Sequence, residues 1–255
     1  MSGRYGRLIV IGLVLIGVSV IGNAVLYAMG VSPFNGVKID EEHTVSAVSI
    51  TEIVMFSNAG DVRVVTGGDE IAVKMTGKTE RLRRDDFHLS VEQQGSRVVI
   101  EATRDLKRKL FSIYPGDYEL LVEIPERLYD MLEISTESAD ISAAGVRANH
   151  ILIQSGYGEI RTTGVAGNIS ARTDAGDIRL GVRAIADNVL AETTFGDIEV
   201  AFDEKPEALA LDLKTSLGEH KVDLPGTAIH PAGADVPTVR LTAGVGDIAV
   251  TVAGR

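Results

Sequence analysis

The chain has 255 residues, with 25 Lys plus Arg against 36 Asp plus Glu, 27 Gly, no Cys and no Trp. A net charge of −11 argues against a nucleic-acid partner, whose phosphates need a basic face. The lack of Cys excludes disulfides, thiolate metal and iron–sulfur sites, a thiol nucleophile and a lipidated cysteine. Aromatic residues are only 5%, so the core must be aliphatic and fine-grained, and the chain is long enough to bury one.

The first element is apolar. Leu8 to Met29 is a run of 22 residues without a charge. As a helix it is about 33 Å long, enough for a hydrocarbon layer of about 30 Å. Arg4 and Arg7 precede it, while Lys38, Asp40, Glu41 and Glu42 follow it. The positive-inside rule then makes residues 1–7 a cytoplasmic tail and residues 8–29 a single-pass transmembrane helix, with everything beyond residue 30 outside the cytoplasm. A cleaved signal peptide is the alternative, with Gly22 and Ala24 before the cut. The apolar run continues past Ala24 through Val25, Leu26 and Tyr27, which favours an uncleaved anchor. Residues 30–44 read as a linker and residues 45–252 as one extracytoplasmic domain.

Residues 45–130 form the irregular part of that domain. Strand candidates are Ile53–Phe56, Val62–Val65, Ile71–Met75, Phe87–Glu92, Val98–Ala102 and Tyr118–Ile124, with a charged insertion from Lys78 to Asp86. Residues 131–252 are regular. The string [Ser/Thr]-x-x-Gly-[Asp/Glu]-[Ile/Val]-x-[Leu/Val] recurs there, and once earlier at Ser57. Its acids are Asp61, Asp140, Glu159, Asp177, Asp197, Glu219 and Asp247, which from Asp140 onward step by 19, 18, 20, 22 and 28 residues. The hydroxyl residues are Ser57, Thr136, Ser155, Thr173, Thr193 and Thr215, with Ala243 in the seventh slot and Ala139 in one glycine slot.

Each copy alternates apolar and polar residues on both sides of a turn. Ile169, Ala171, Ile178 and Leu180 point inward, Arg172 and Arg179 outward, which is the period of two half-buried strands. Glycine suits a turn needing positive φ, and the acid reads as a structural cap on its own turn amides. A unit of about 20 residues cannot bury its inner face alone, so stacked copies are required. The fold expected is all-β: a β-solenoid of stacked two-strand β-arch repeats behind one N-terminal transmembrane helix. Asp203 to Ala208 and Pro225 to Pro237 read as loops between late coils.

The segments "FSNAGDVRVVTG" (Phe56 to Gly67), "YELLVEIPERLYDMLEISTESADISAAG" (Tyr118 to Gly145), "ARTDAGDIRL" and "AETTFGDIEV" resemble a bacterial family of adhesin-labelled, membrane-anchored domains of unknown function that includes LiaG-like proteins. The resemblance covers roughly residues 45–252. It implies a β-solenoid-like exported domain, a scaffold or adhesin role at the cell envelope, and an envelope-stress setting. It implies no catalytic residues.

Chemistry-bearing motifs are few. Ala72 to Thr79 matches a loose phosphate-loop pattern but alternates like a strand, with no helix to follow. The five His lack metal-ligand spacing, and no Gly-x-Ser-x-Gly elbow is present. An acid ladder can hold calcium, yet the Gly-Gly-x-Gly-x-Asp pattern of calcium-binding rolls is missing; a domain without metal or cofactor is expected. Two basic clusters, Lys78, Arg81, Arg83, Arg84 and Arg104, Lys107, Arg108, Lys109, are candidates for contact with anionic lipid or envelope polymer. The reading is a non-enzymatic interaction or scaffold module. Its partners are the membrane and either an envelope polymer or another membrane protein. A glycan-active enzyme on the same solenoid and a sensor subunit acting through its helix are the alternatives.

Overall fold

The computed structural model describes residues 2–28, 36–105, 116–185, 187–231 and 233–253. Helix α1 spans Ser2–Ala28. Within it Val10–Ala28 has a mean hydropathy of 2.3 and none of that span is buried against the protein. Among the described residues every later element is a β-strand, apart from one 3-10 helix, Arg81–Asp86.

The strands follow in chain order: β1 Gly36–Ser46, β2 Glu52–Ser57, β3 Asp61–Thr66, β4 Glu70–Glu80, β5 Phe87–Gln94, β6 Arg97–Arg104, β7 Asp117–Ile124, β8 Leu128–Thr136, β9 Ile141–Ala144 and β10 Arg147–Tyr157. After them come β11 Ile160–Ala175, β12 Ile178–Val182, β13 Val189–Phe195, β14 Ile198–Phe202, β15 Ala208–Leu217, β16 His220–Asp223, β17 Ala228–His230, β18 Thr238–Val245 and β19 Ile248–Val252. All six strand candidates of the irregular region lie inside observed strands.

The strands make two faces around one core. Sheet 1 runs β5-β6-β2-β8-β10-β11-β13-β18-β15-β17. Sheet 2 runs β1-β4-β7-β3-β9-β11-β12-β14-β19-β16. Each coil sends one strand through sheet 1, turns, and returns through sheet 2. The 16-residue β11 serves both: residues 160–165 pair with β12 and residues 168–175 with β13. Gly164 and Gly167, both at positive φ, turn the corner between the two halves. All-β architecture with a solenoid-like stack is therefore observed.

The stack departs from a simple solenoid in its order. β6 and β7 lie outside β2 and β3. At the other end β18 and β19 insert between the β13–β14 coil and the β15–β16 coil. Both displacements coincide with the long intervals between repeat acids, 79 residues from Asp61 to Asp140 and 28 from Glu219 to Asp247.

Two boundaries also change. Residues 36–44, expected as linker, belong to β1, which pairs antiparallel with β4 from Gly36↔Glu80 to Ser46↔Glu70. β1 is a charged edge strand with only Ile39 buried, so backbone pairing fixes it and hydrophobic alternation does not reveal it. The expected insertion at Lys78–Asp86 is the end of β4 plus the 3-10 helix, which links sheet 2 to β5 of sheet 1. Likewise the loop expected at 225–237 contains β17.

The inward positions are filled by small and branched residues. Ile178, Leu180, Ile169 and Ala171 are essentially inaccessible, as predicted, and so are Val200 and Val250. Larger rings occur at Tyr129 and Phe202 in the core, and Phe87 meets Tyr118 edge to face at 5.8 Å. The coils are held about 4.8 Å apart by parallel pairing. At the turns this leaves no room for a side chain: a Cβ on Gly176, Gly196 or Gly246 would lie 2.0–2.1 Å from the carbonyl oxygen of the glycine in the neighbouring coil.

Candidate functional site

The turns between the two sheets line up along one edge of the stack, and the repeat motif lies there. Its hydroxyls are structural, on buried residues throughout except at the half-buried Thr215. Thr173 and Thr193 donate to the carbonyl oxygens of Gly158 and Gly176, each at 3.1 Å, and Thr215 to that of Gly246 at 2.9 Å. Each thereby ties its turn to the neighbouring coil. Ser57 instead donates within its own turn, to Gly60.

The acids work across coils as well, which corrects the expectation that each caps its own turn. Asp61 accepts the amide N–H of Asp140 at 3.1 Å, Asp140 that of Glu159 at 2.7 Å, and Asp177 that of Asp197 at 2.9 Å. Asp197 accepts from Asp247 and Asp247 from Glu219, both at 2.8 Å. An aspartate carboxylate reaches one rung along the stack. The chain of donors follows spatial order, so Asp247 stands between Asp197 and Glu219. Glu159 is held differently: Arg161 donates to it at 2.6 Å, and Arg179 bridges it to Asp177. These arginines offset the like charges of that half of the ladder.

Among the described residues no three His, Asp or Glu side chains converge as a metal site. A shallow groove over sheet 2 brings Asp61, Glu119, Asp140 and Glu159 together with Arg63 and Arg161. Glu119 is paired with Arg63 at 3.1 Å. The carboxylates in this groove are occupied by arginines and backbone amides. Two phenols are shifted. Burial pushes the Tyr118 hydroxyl up, against the opposing effect of its bond to Ser57, and it donates to Ala102 at 2.7 Å. Burial also raises Tyr129, against which Arg127 stacks at 4.9 Å. Both rings are structural: the Tyr118 ring occupies the space that a Cβ on Gly60 would need.

Beside the acids runs a feature that carries no motif letter of its own. In four of the regular coils the residue before the motif glycine is large, apolar and exposed. Strand register places Tyr157, Ala175, Phe195, Val245 and Leu217 on successive rungs. Tyr157 is 67% exposed, Phe195 61%, Val245 43% and Leu217 67%. The signal was present as S-G-Y-G-E, T-T-F-G-D, T-S-L-G-E and A-G-V-G-D, but a variable position inside a turn reads as filler. The result is an apolar ridge about 19 Å long at roughly 4.8 Å per rung, parallel to the acid ladder and two residues from it.

The basic residues divide. Lys78, Arg81 and Arg84 are exposed. Arg83 is buried and pairs with Asp86 at 3.7 Å, which removes it from any surface contact. Arg104 is half-buried and donates to the Gly116 carbonyl at 2.6 Å. Lys107, Arg108 and Lys109 lie outside the described residues.

Comparison with solved structures agrees with this architecture. A candidate cell adhesion protein of Clostridium sporogenes matches with a TM-score of 0.53 and 13% identity, over 85% of this chain and all of that one. A candidate adhesin of Bacteroides fragilis matches with a TM-score of 0.49 and 13% identity, over 83% of this chain and 97% of the other. At such identity the first likeness shows the fold alone. No curated protein matches the chain. The family model described as Toastrack DUF4097 matches residues 50–179 and again residues 130–251, which together take in nearly the whole stack. The chain belongs to the Toastrack DUF4097 family.

Proposed function

We propose that this protein is a membrane-anchored, extracytoplasmic and non-catalytic interaction module, which presents the turn edge of its stack to a partner at the cell envelope. The observation that carries the reading is the exposed ridge of Tyr157, Phe195, Val245 and Leu217 on a rigid scaffold. Monomeric proteins seldom leave such a contiguous apolar line in water without a use for it. The adhesin descriptions of the solved neighbours support the same class of function.

The anchor is α1, with residues 1–7 in the cytosol, Arg4 and Arg7 holding that end inside, and a short linker before β1. Lys78, Arg81 and Arg84 serve as the contact with anionic headgroups. Register supports this placement, because Gly36, where the described chain resumes after α1, lies opposite Glu80 and therefore beside the 3-10 helix. Each cation close to an anionic surface contributes about 1 kcal/mol. The stack then stands on its β1 end, with the ridge away from the membrane.

A reporter fused after Arg255 tests the topology. The reading expects activity of an outward-dependent reporter such as alkaline phosphatase, and none of a cytosol-dependent one. The opposite pattern overturns it.

A further inference from the structure

The ridge has chemistry specific enough to name its partner, given the exterior placement proposed above. We infer that the turn edge binds a cationic amphipathic helix of a partner protein, laid along the stack axis.

The backbone disfavours docking by strand addition. Along this edge the amides are already used: Gly176 donates to Phe195, Gly196 to Val245 and Gly246 to Leu217, at 2.8–3.0 Å. The acid residues' amides go to neighbouring carboxylates. No sheet edge is open there for strand addition, so recognition passes through side chains. Their spacing fits a helix. Tyr157, Phe195 and Leu217 stand two rungs apart, about 9.6 Å at 4.8 Å per rung. Residues seven apart on a helix lie about 10.5 Å apart on one face.

Charge selects among apolar partners. Near Tyr157 the acids Glu159 and Asp177 are neutralised by Arg161 and Arg179. Near Phe195, Val245 and Leu217 the acids are Asp197, Asp247 and Glu219, all exposed. None of these three forms an ion pair within the described residues. A second copy would bring the same acids against each other, and anionic lipid would be repelled likewise. A helix with lysines or arginines flanking its apolar stripe complements both rails.

The test uses the full chain in phosphatidylcholine nanodiscs and a labelled 18-residue leucine–lysine peptide, read by fluorescence anisotropy against empty nanodiscs. Two controls are a scramble of equal composition and the same helix with Glu for Lys. The inference expects saturable binding of the amphipathic cationic peptide, and binding at least about tenfold weaker for both controls. Phe195→Ser with Leu217→Ser, and separately Asp197→Asn with Asp247→Asn, should each weaken it by about tenfold. The asparagines keep the oxygen that accepts the neighbouring amide, and the serines replace exposed side chains; unchanged thermal unfolding verifies that both variants fold. No binding, equal binding of the scramble, or indifference to both double variants overturns the inference. With an outward reporter such a failure falls on the helix partner alone; a cytosolic reporter would instead remove the placement on which it rests.

Discussion

Gly196→Ala probes the closeness of the coils. In the native turn Gly196 has φ +147°, and an added Cβ would sit 2.1 Å from the carbonyl oxygen of Gly176. That is about 0.9 Å inside the nearest approach that real Cβ atoms make. The obstacle is backbone held in parallel ladders on both sides, so it cannot swing aside as a side chain would. Overpacking of this kind costs about 1–3 kcal/mol, and positive φ for alanine adds about 1–2 kcal/mol. A sum near 4 kcal/mol would lower the melting temperature by about 8–16 °C for a chain of this size. Gly95→Ala is the control: φ there is +67°, and nothing lies within 4 Å, so only the conformational term applies. Differential scanning calorimetry of the full chain in detergent measures both. Equal shifts for the two variants would refute the steric argument.

Three further outcomes follow from the same geometry. Ile178→Asp places a charge at a fully buried position and should cost several kcal/mol, whereas Arg179→Gln beside it, two-fifths exposed, should cost about 1 kcal/mol or less in the same melts. Asp197→Ala removes the acceptor for the Asp247 amide and should cost about 0.5–1.5 kcal/mol, while Asp197→Asn stays close to the native protein; identical losses would argue against inter-coil capping. Tyr118 and Tyr129 titrate above their ordinary value in the folded protein, so folding holds their protons more tightly than the unfolded chain does. The stability they contribute is complete below pH 10 and is lost as pH rises through the folded values. Denaturant titrations from pH 9 to 11 should show this fall, and it should shrink in Tyr118→Phe with Tyr129→Phe.

Local order was legible in the sequence because it is written in local alternation. Ile169-Ser-Ala171-Arg and Ile178-Arg-Leu180 reveal two strands and their inner faces without any knowledge of partners. What lies beside a coil is a different matter. The motif in "SLGE" at Leu217 looks like its neighbours, yet β15 is the outer coil and β18 the inserted one. Only the long interval before Asp247 hints that the chain has room to double back. The acid's role was missed for a related reason: an Asp in a turn can reach its own amides or those one rung away, and the choice depends on inter-coil spacing. The ridge is hidden by its variability, since Tyr157, Phe195, Val245 and Leu217 share exposure and a register but no motif letter.

Because the chain has no cysteine, single introduced thiols can report directly whether the turn edge lies outside the cytoplasm. Leu217→Cys and Ser2→Cys, each in intact cells, are treated with a membrane-impermeant maleimide. Rapid labelling is expected at position 217, and labelling at position 2 only after permeabilisation. Labelling at 217 that requires permeabilisation would contradict the exterior placement.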